Sequence, residues 1–308
     1  MAGLNSFRFE KWYFDVVLPT GEIIFFFLAK TRIFGWEDAR LSLTVASSRE
    51  APLHRSLILR EPDIFPRPVS SALGPEPEIQ VRVKGEGLAV DLAFSRHPED
   101  RPASRPMAIP WGKHRILWEP IHGRSVVRGS VSVAGRTWDA PELAGYIDRL
   151  RSDVFPLFTP VRTLFWGRLH HRDGSLVYAV VHGPRPRALL TWNSGPGRLE
   201  LDAVDIAEHG NEMSPVLGLR YPPAYTLTAA GPSARVRLDV ENPAPGLETA
   251  FVGTEGLRRA LESRAIDFLG RRPRGVKFFS RGRGLIEGAG PTVRIDDEPF
   301  FSEIVRFS

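Results

Sequence analysis

The chain has 308 residues, 42% of them hydrophobic and 25% charged, which fits an ordinary globular protein of two domains or one large all-β unit. It contains no Cys, which excludes disulfides, thiolate nucleophiles and Cys-ligated zinc or iron–sulfur sites. The formal charge is +5, with Arg271, Arg272, Arg274, Arg281 and Arg283 grouped near the C-terminus. No helical recognition motif or aromatic RNA-binding signature accompanies them, so they read as a solvated face and no nucleic-acid partner is expected.

The N-terminus, MAGLNSFRFEKWYFD, lacks the basic region, apolar core and cleavage site of a signal peptide. The most apolar stretch, Ile23 to Ala29, has seven residues, whereas a membrane span needs about 20. The expectation is a cytoplasmic protein with no stable membrane insertion.

The 27 Pro and 28 Gly are spread along the chain, between short runs rich in Val, Leu, Phe and Tyr. This is all-β punctuation. A first hairpin runs from Trp12 to Leu18, turns at Pro19-Thr20-Gly21 and returns from Glu22 to Lys30. Leu41 to Ala46 alternates as a half-buried strand. Glu61 to Glu78 carries five Pro and reads as a long loop or lid. A second hairpin joins Ile79–Lys84 to Leu88–Phe94, and Val126 to Val133 leads through Ala134-Gly135 to Arg136–Trp138.

Arg149 to Val161 breaks the alternation and marks a boundary between domains 1–152 and 153–308. Hairpins restart at once with Phe165–His171 and Ser175–Val181, joined at Asp173-Gly174, a strong hairpin pair. The restart points to duplication, although the halves share no evident sequence identity. Ala188–Asn193, Leu199–Ile206, Ala224–Ala229 and Arg235–Val240 continue the strands. One helix is predicted over 255–269, with Thr254 as N-cap, an apolar stripe of Leu257, Leu261, Ala265 and Phe268, and Gly270 as stop.

Dinucleotide, P-loop and nucleophile-elbow motifs are absent. His170 and His171 are adjacent, so on a strand they point to opposite faces and cannot share a metal ion. No cofactor or metal is expected. What stands out is a set of aromatic and acidic clusters: Trp12-Tyr13-Phe14-Asp15, Trp118-Glu119-Pro120-Ile121, Tyr146-Ile147-Asp148 and Phe165-Trp166-Gly167-Arg168. Tyr146 and Asp148 share a strand face, which inside a barrel places a phenol beside a carboxyl on the lumen wall. A carboxyl there is disfavoured as the anion and can protonate an alkene. Aromatic faces can then hold the carbocation. The plainer alternative is that the aromatics plug the barrel and Asp148 is a turn or hydrogen-bonding residue.

These segments resemble the lipocalin-like superfamily of carotenoid 1,2-hydratases, AttH-type proteins and fungal Diels–Alderases. FEKWYFDVVLPTG (9–21), LWEPIHGRSVVRGSVSV (117–133), and GYIDRL followed by FWGRLHHRDGSLVYAV carry the resemblance, in order, over residues 7 to 182. It implies two lipocalin-like antiparallel β-barrels, no cofactor and a hydrophobic small-molecule substrate. By motif, the residues proposed for catalysis in the hydratases fall on Trp118, Tyr146 and Asp148. Trp12, Tyr13, Asp15, His114, His122, Trp166 and His170 are the substrate-binding candidates. The position where the hydratases place a His, two residues before Trp118, is Ile116 here, with His114 and His122 nearby. The departure tips the expectation toward a cyclase or isomerase acting by preorganisation, over a hydratase. A non-catalytic carrier of a lipophilic metabolite is the alternative from a different class.

Overall fold

The computed structural model describes residues 7–33, 36–47, 52–59, 68–70, 77–101, 106–154, 159, 161–195, 197–243, 245–250, 273–288 and 290–307. Contacts divide the chain into two units. One comprises Met1–Pro106 and Ile116–Asp153, the other Met107–Arg115 and Val154–Ser308. Among the described residues there is no helix. The protein is all-β, and each half is an antiparallel sheet curled into a nearly closed barrel. The helix expected over 255–269 and most of the loop expected over 61–78 lie outside the described residues.

The first sheet is built from β1 (Arg8–Val17), β2 (Ile23–Ile33), β3 (Trp36–Ala46), β4 (Leu53–Ile58), β5 (Pro68–Ser70), β6 (Pro77–Gly85), β7 (Leu88–Arg96), β8 (Met107–Trp111), β9 (His114–Val133) and β10 (Arg136–Ser152). Its spatial order is β4-β3-β2-β1-β10-β9-β7-β6-β5, with β8 paired to β9. The second half contains β11 (Thr163–His171), β12 (Gly174–His182), β13 (Arg187–Ser194), β14 (Gly197–Leu201), β15 (Val204–His209), β16 (Glu212–Met213), β17 (Arg220–Tyr221), β18 (Ala224–Gly231), β19 (Ala234–Glu241), β20 (Leu247–Ala250), β21 (Pro273–Glu287) and β22 (Val293–Phe307). Here the order is β14-β13-β12-β11-β22-β21-β19-β18-β15, with β20 paired to β21 and the ribbon β16–β17 inserted.

The two orders coincide strand for strand when β1–β5 are matched to β11–β15, β6–β8 to β18–β20 and β9–β10 to β21–β22. A glycine detail repeats with them. A Cβ on Gly129 of β9 would lie 2.0 Å from the Asp91 carbonyl oxygen, and one on Gly284 of β21 would lie 1.9 Å from that of Arg237. Gly129 pairs with Leu92 and Gly284 with Leu238, at matching places in the two ladders. Only a residue without a side chain lets the backbones approach so closely.

Period-two alternation fills each barrel from one face of its strands. Phe14, Phe26, Phe94, Val127 and Ile147 lie in the first core. Phe165, Tyr178, Trp192, Tyr225, Phe278 and Phe300 lie in the second. The second core also contains hydroxyls. Tyr178 and Tyr225 hydrogen-bond at 2.5 Å, and Ser280 bonds to Ser302 and Asn242 at 2.8 and 2.7 Å. Burial and their mutual contact raise the pKa of Tyr178 well above that of an ordinary phenol, and burial raises that of Tyr225.

Two strand expectations are corrected. Leu199–Ile206 is not one strand but two, β14 and β15, which end up at opposite edges of the sheet. The β11–β12 hairpin is present, but its loop is Arg172-Asp173 and Gly174 pairs with His171. A Cβ at Gly174 would sit 2.2 Å from the Asn193 carbonyl oxygen and 2.6 Å from the Trp192 ring, so this glycine serves a close approach. Arg274, Arg281 and Arg283 lie on the long strand β21, where Arg281 and Arg283 are exposed, as a solvated face would be, and pair with Asp297 of β22 at 2.7 and 3.0 Å.

Candidate active site

On β1, Trp12, Phe14 and Val16 point into the first core, so Tyr13 and Asp15 point to the other face of the sheet. On β10, Ile147 is in the core, and Tyr146 and Asp148 lie on the face away from it. The expectation that Tyr146 and Asp148 line the barrel lumen is therefore corrected. The lumen is filled by Phe14, Phe26, Phe94 and Ile147, and the phenol–carboxyl pair sits on the outward face. That face is nevertheless buried: Tyr13, Asp15, Phe25, Trp118, Tyr146 and Asp148 all are.

The ladders place these groups side by side. Tyr13 pairs with Asp148, and Asp15 pairs with Tyr146. The β9–β10 ladder shifts register on both sides of Ile147, and the irregularity turns the Tyr146–Asp148 segment relative to its neighbours. Gly145, which opens the GYIDRL segment, serves a close approach beside it. A Cβ there would lie 2.5 Å from both the Asp15 carbonyl oxygen and Val127. Its only sequence signal is a glycine inside a strand.

Two donors meet on one oxygen. The Trp118 indole N–H and the Tyr146 hydroxyl each donate to Asp148 Oδ2, both at 3.1 Å. The Tyr13 ring lies 6.1 Å from the Tyr146 ring and 6.2 Å from that of Phe25, forming an aromatic wall beside the carboxyl. Trp118, Tyr146, Asp148, Tyr13 and Asp15 are thus brought onto one face.

The other candidates fall elsewhere. Trp12 packs in the first core, donates its indole N–H to Glu10 at 2.9 Å and carries the Arg149 guanidinium 5.0 Å above its ring. His122 is buried with Nδ1 2.9 Å from Ser125 Oγ. Burial, helped by the charge of Arg96, holds its pKa down at about 3, so its ring is neutral at neutral pH. His114 is half-buried at the start of β9.

Trp166 and His170 belong to the second unit, where they share a β11 face with Arg168, away from the core residues Phe165 and Leu169. Trp166 pairs with Glu303 and Arg168 with Phe301. The Trp166 ring meets Phe301 edge-on at 6.1 Å, and the Arg168 guanidinium lies 5.7 Å from the centre of the same Phe301 ring. Glu303 accepts an ion pair from Lys277 at 2.5 Å. Arg168 was noted in the sequence only as part of a cluster, and Lys277, Phe301 and Glu303 were missed. They lie more than a hundred residues beyond Arg168, and only strand pairing joins them. Among the described residues no group of three His, Asp or Glu is placed to hold a metal ion.

No family model matches the chain, and no curated protein sequence matches it. Solved structures do. The AttH-like protein NE1406 of Nitrosomonas europaea aligns with a TM-score of 0.61 at 13% identity, covering 98% of this chain and 94% of that one. Kievitone hydratase of Nectria haematococca aligns with a TM-score of 0.58 at 11% identity, over 99% of this chain and 89% of that one. CghA in complex with Sch210972 gives 0.59 at 11% identity, over 98% and 89%. The chain therefore has the two-barrel fold of these proteins, which is the lipocalin-like fold that the sequence resemblance implied.

Proposed function

We propose that this chain is a cofactor-independent enzyme of hydratase or cyclase type, acting on an apolar polyene or terpenoid small molecule. The observation that carries the proposal is the convergence of Trp118 and Tyr146 on a single oxygen of the buried Asp148. The acid of the proposed reaction is the neutral form of this carboxyl. The two donors hold the carboxyl in place and stabilise the carboxylate that proton transfer leaves behind. Transfer of the carboxyl proton to an alkene forms a C–H bond, breaks the π bond and leaves a tertiary carbocation beside the Asp148 carboxylate.

The nearby faces of Tyr13, Tyr146 and Trp118 suit such a cation, at roughly 2 kcal/mol or more per desolvated ring. Attack by a second double bond closes a ring, and loss of a proton to Asp148 resets the acid. Attack by water instead gives an alcohol, with the water proton returned to Asp148. Ile116, at the position where the resemblance expects a His, favours the first route. The shared fold with kievitone hydratase and CghA fits either route.

The test is incubation with a panel of acyclic polyenes in oxygen-18-labelled water, read by mass spectrometry. A ring-closed isomer of unchanged mass is the expected product. A labelled tertiary alcohol would move the assignment to hydration. Polyenes that bind and are recovered unchanged would favour a carrier.

A further inference from the structure

We infer that the ribbon β16–β17 and the arginines beside it form a peripheral docking surface for an anionic lipid bilayer, on the second unit. The inference does not depend on alkene chemistry at Asp148.

The ribbon is an addition to the repeated scaffold. In the first unit β5 leads to β6 through residues 71–76, whereas the matching β15 leads to β18 through residues 210–223, which contain β16 and β17. One side of the addition is anchored. Leu219 and Tyr221 are buried in the second core, Leu217 packs against it, and the Tyr221 ring lies 5.1 Å from that of Phe278. The other side is turned outward, with Met213 54% and Val216 78% exposed. Hydrogen bonds fix the turn that presents them. The Ser214 N–H donates to the Leu219 carbonyl at 2.8 Å and the Gly218 N–H to the Ser214 carbonyl at 3.1 Å. The Leu219 N–H donates to Ser214 Oγ at 3.0 Å. A turn held in this way keeps a thioether and an isopropyl group in water, which costs free energy until an apolar phase covers them.

The surroundings of the ribbon are basic. Arg306 Nε donates to the Arg220 carbonyl at 2.9 Å, and Arg274 Nη1 to the Leu217 carbonyl at 3.3 Å. The ribbon therefore lies against the end of β22 and the start of β21. The ladders bring more arginines to that end of the sheet. Thr163 pairs with both His182 and Arg306, and Val181 with Arg187, so Arg162, Arg185 and Arg187 lie there too. Arg162, Arg185, Arg187 and Arg220 are exposed, and among the described residues none of the four makes an ion pair. Of the acids beside the ribbon, Glu208 pairs with Arg306 at 2.9 Å and Glu212 accepts from the Tyr221 hydroxyl at 2.9 Å. Exposed apolar side chains next to guanidinium groups suit an anionic bilayer, where hydrocarbon receives the first and headgroup phosphates accept from the second. A nucleic acid would engage the charge alone and leave Met213 and Val216 in water.

Co-sedimentation of the full chain with vesicles of phosphatidylcholine, and of an equimolar mixture with phosphatidylglycerol, tests the inference. Binding to the anionic vesicles is expected to be at least roughly tenfold tighter than to the neutral ones, a preference that high salt removes. Arg185→Gln with Arg187→Gln should weaken anionic binding by roughly fivefold per arginine. Met213→Ser with Val216→Ser should weaken it by about tenfold. Asp148→Asn should leave it unchanged, so the outcome is separable from that of the proposed catalysis. No sedimentation with anionic vesicles, or equal binding to neutral ones, would overturn the inference. So would anionic binding that either double variant retains in full with a wild-type circular dichroism spectrum. Full retention by the Met213→Ser, Val216→Ser variant, together with salt-sensitive retention on double-stranded DNA, would assign the arginines to nucleic acid instead.

Discussion

The two halves share a strand order but differ in where they put polar groups. In the first, hydrocarbon side chains such as Phe14, Phe26 and Phe94 fill the barrel, and the outward block is acidic and phenolic, with Asp15, Asp148, Tyr13 and Tyr146. In the second, the barrel itself contains the Tyr178–Tyr225 pair and the Ser280–Ser302–Asn242 network, and the outward block carries Arg168, Glu303 and Lys277. One exchange shows the coupling. Phe14 in the first core corresponds to Gly167 in the second, since Phe14 pairs with Ile147 and Phe26, and Gly167 with Ser302 and Tyr178. A Cβ at Gly167 would lie 2.6 Å from the Tyr178 ring and 2.7 Å from that of Phe300, so losing the Phe side chain makes room for other rings and for a buried hydroxyl. A duplicated scaffold can thus preserve its ladders while each copy redistributes its chemistry between core and outer face.

The sharpest test of the duplication is the glycine pair. Gly129→Ala and Gly284→Ala each force a methyl group into a backbone carbonyl that is 2.0 and 1.9 Å from the ideal Cβ position. Each is expected to destabilise its half by about 3 kcal/mol or more, by similar amounts, in urea unfolding. A large effect at one site and none at the other would break the equivalence.

Titration should separate the halves at opposite ends of the pH scale. His122, in the first unit, has its pKa lowered by burial from 6.5 to about 3. The unfolded chain therefore binds the extra proton between these values. The stability contributed by neutral His122 is fully present above pH 6.5 and falls on acidification toward pH 3, at up to about 1.4 kcal/mol per pH unit. His122→Gln should flatten the acid limb. Tyr178 and Tyr225, in the second unit, are shifted upward from 10.0. Their contribution is present below pH 10 and is lost as pH rises above it. Unfolding midpoints followed across both limbs check both signs, and Tyr178→Phe should alter only the alkaline limb.

Much of this architecture is legible in the sequence. Alternation and turn residues mark β1–β2, β6–β7, β11–β12 and β18–β19, because period two and hairpin chemistry are local signals. β21 and β22 are harder to read, since Arg281 and Arg283 face solvent while Lys277 is buried, and Gly282 and Gly284 interrupt the strand pattern. The spacing of Tyr146 and Asp148 places them on one face, but period two does not say which face the core fills. That depends on Phe14, Phe26 and Phe94 arriving from three other strands. Trp118 is thirty residues from Asp148 and was linked to it through the resemblance, whereas the hydrogen bond between them follows from the β9–β10 pairing. The Arg168 block is hidden further, because its corners come from opposite ends of the second half.

The central claim is that Asp148 supplies the proton, and Asp148→Asn tests it most directly. The amide keeps an oxygen that can accept from Trp118 and Tyr146 but has no acidic proton to give. Turnover of the polyene converted by the wild-type chain should fall by about 10²- to 10⁴-fold, with binding of that polyene unchanged within about twofold, since the oxygen is retained. Turnover within a few-fold of wild type in the Asn variant would contradict the account and assign the proton to another group.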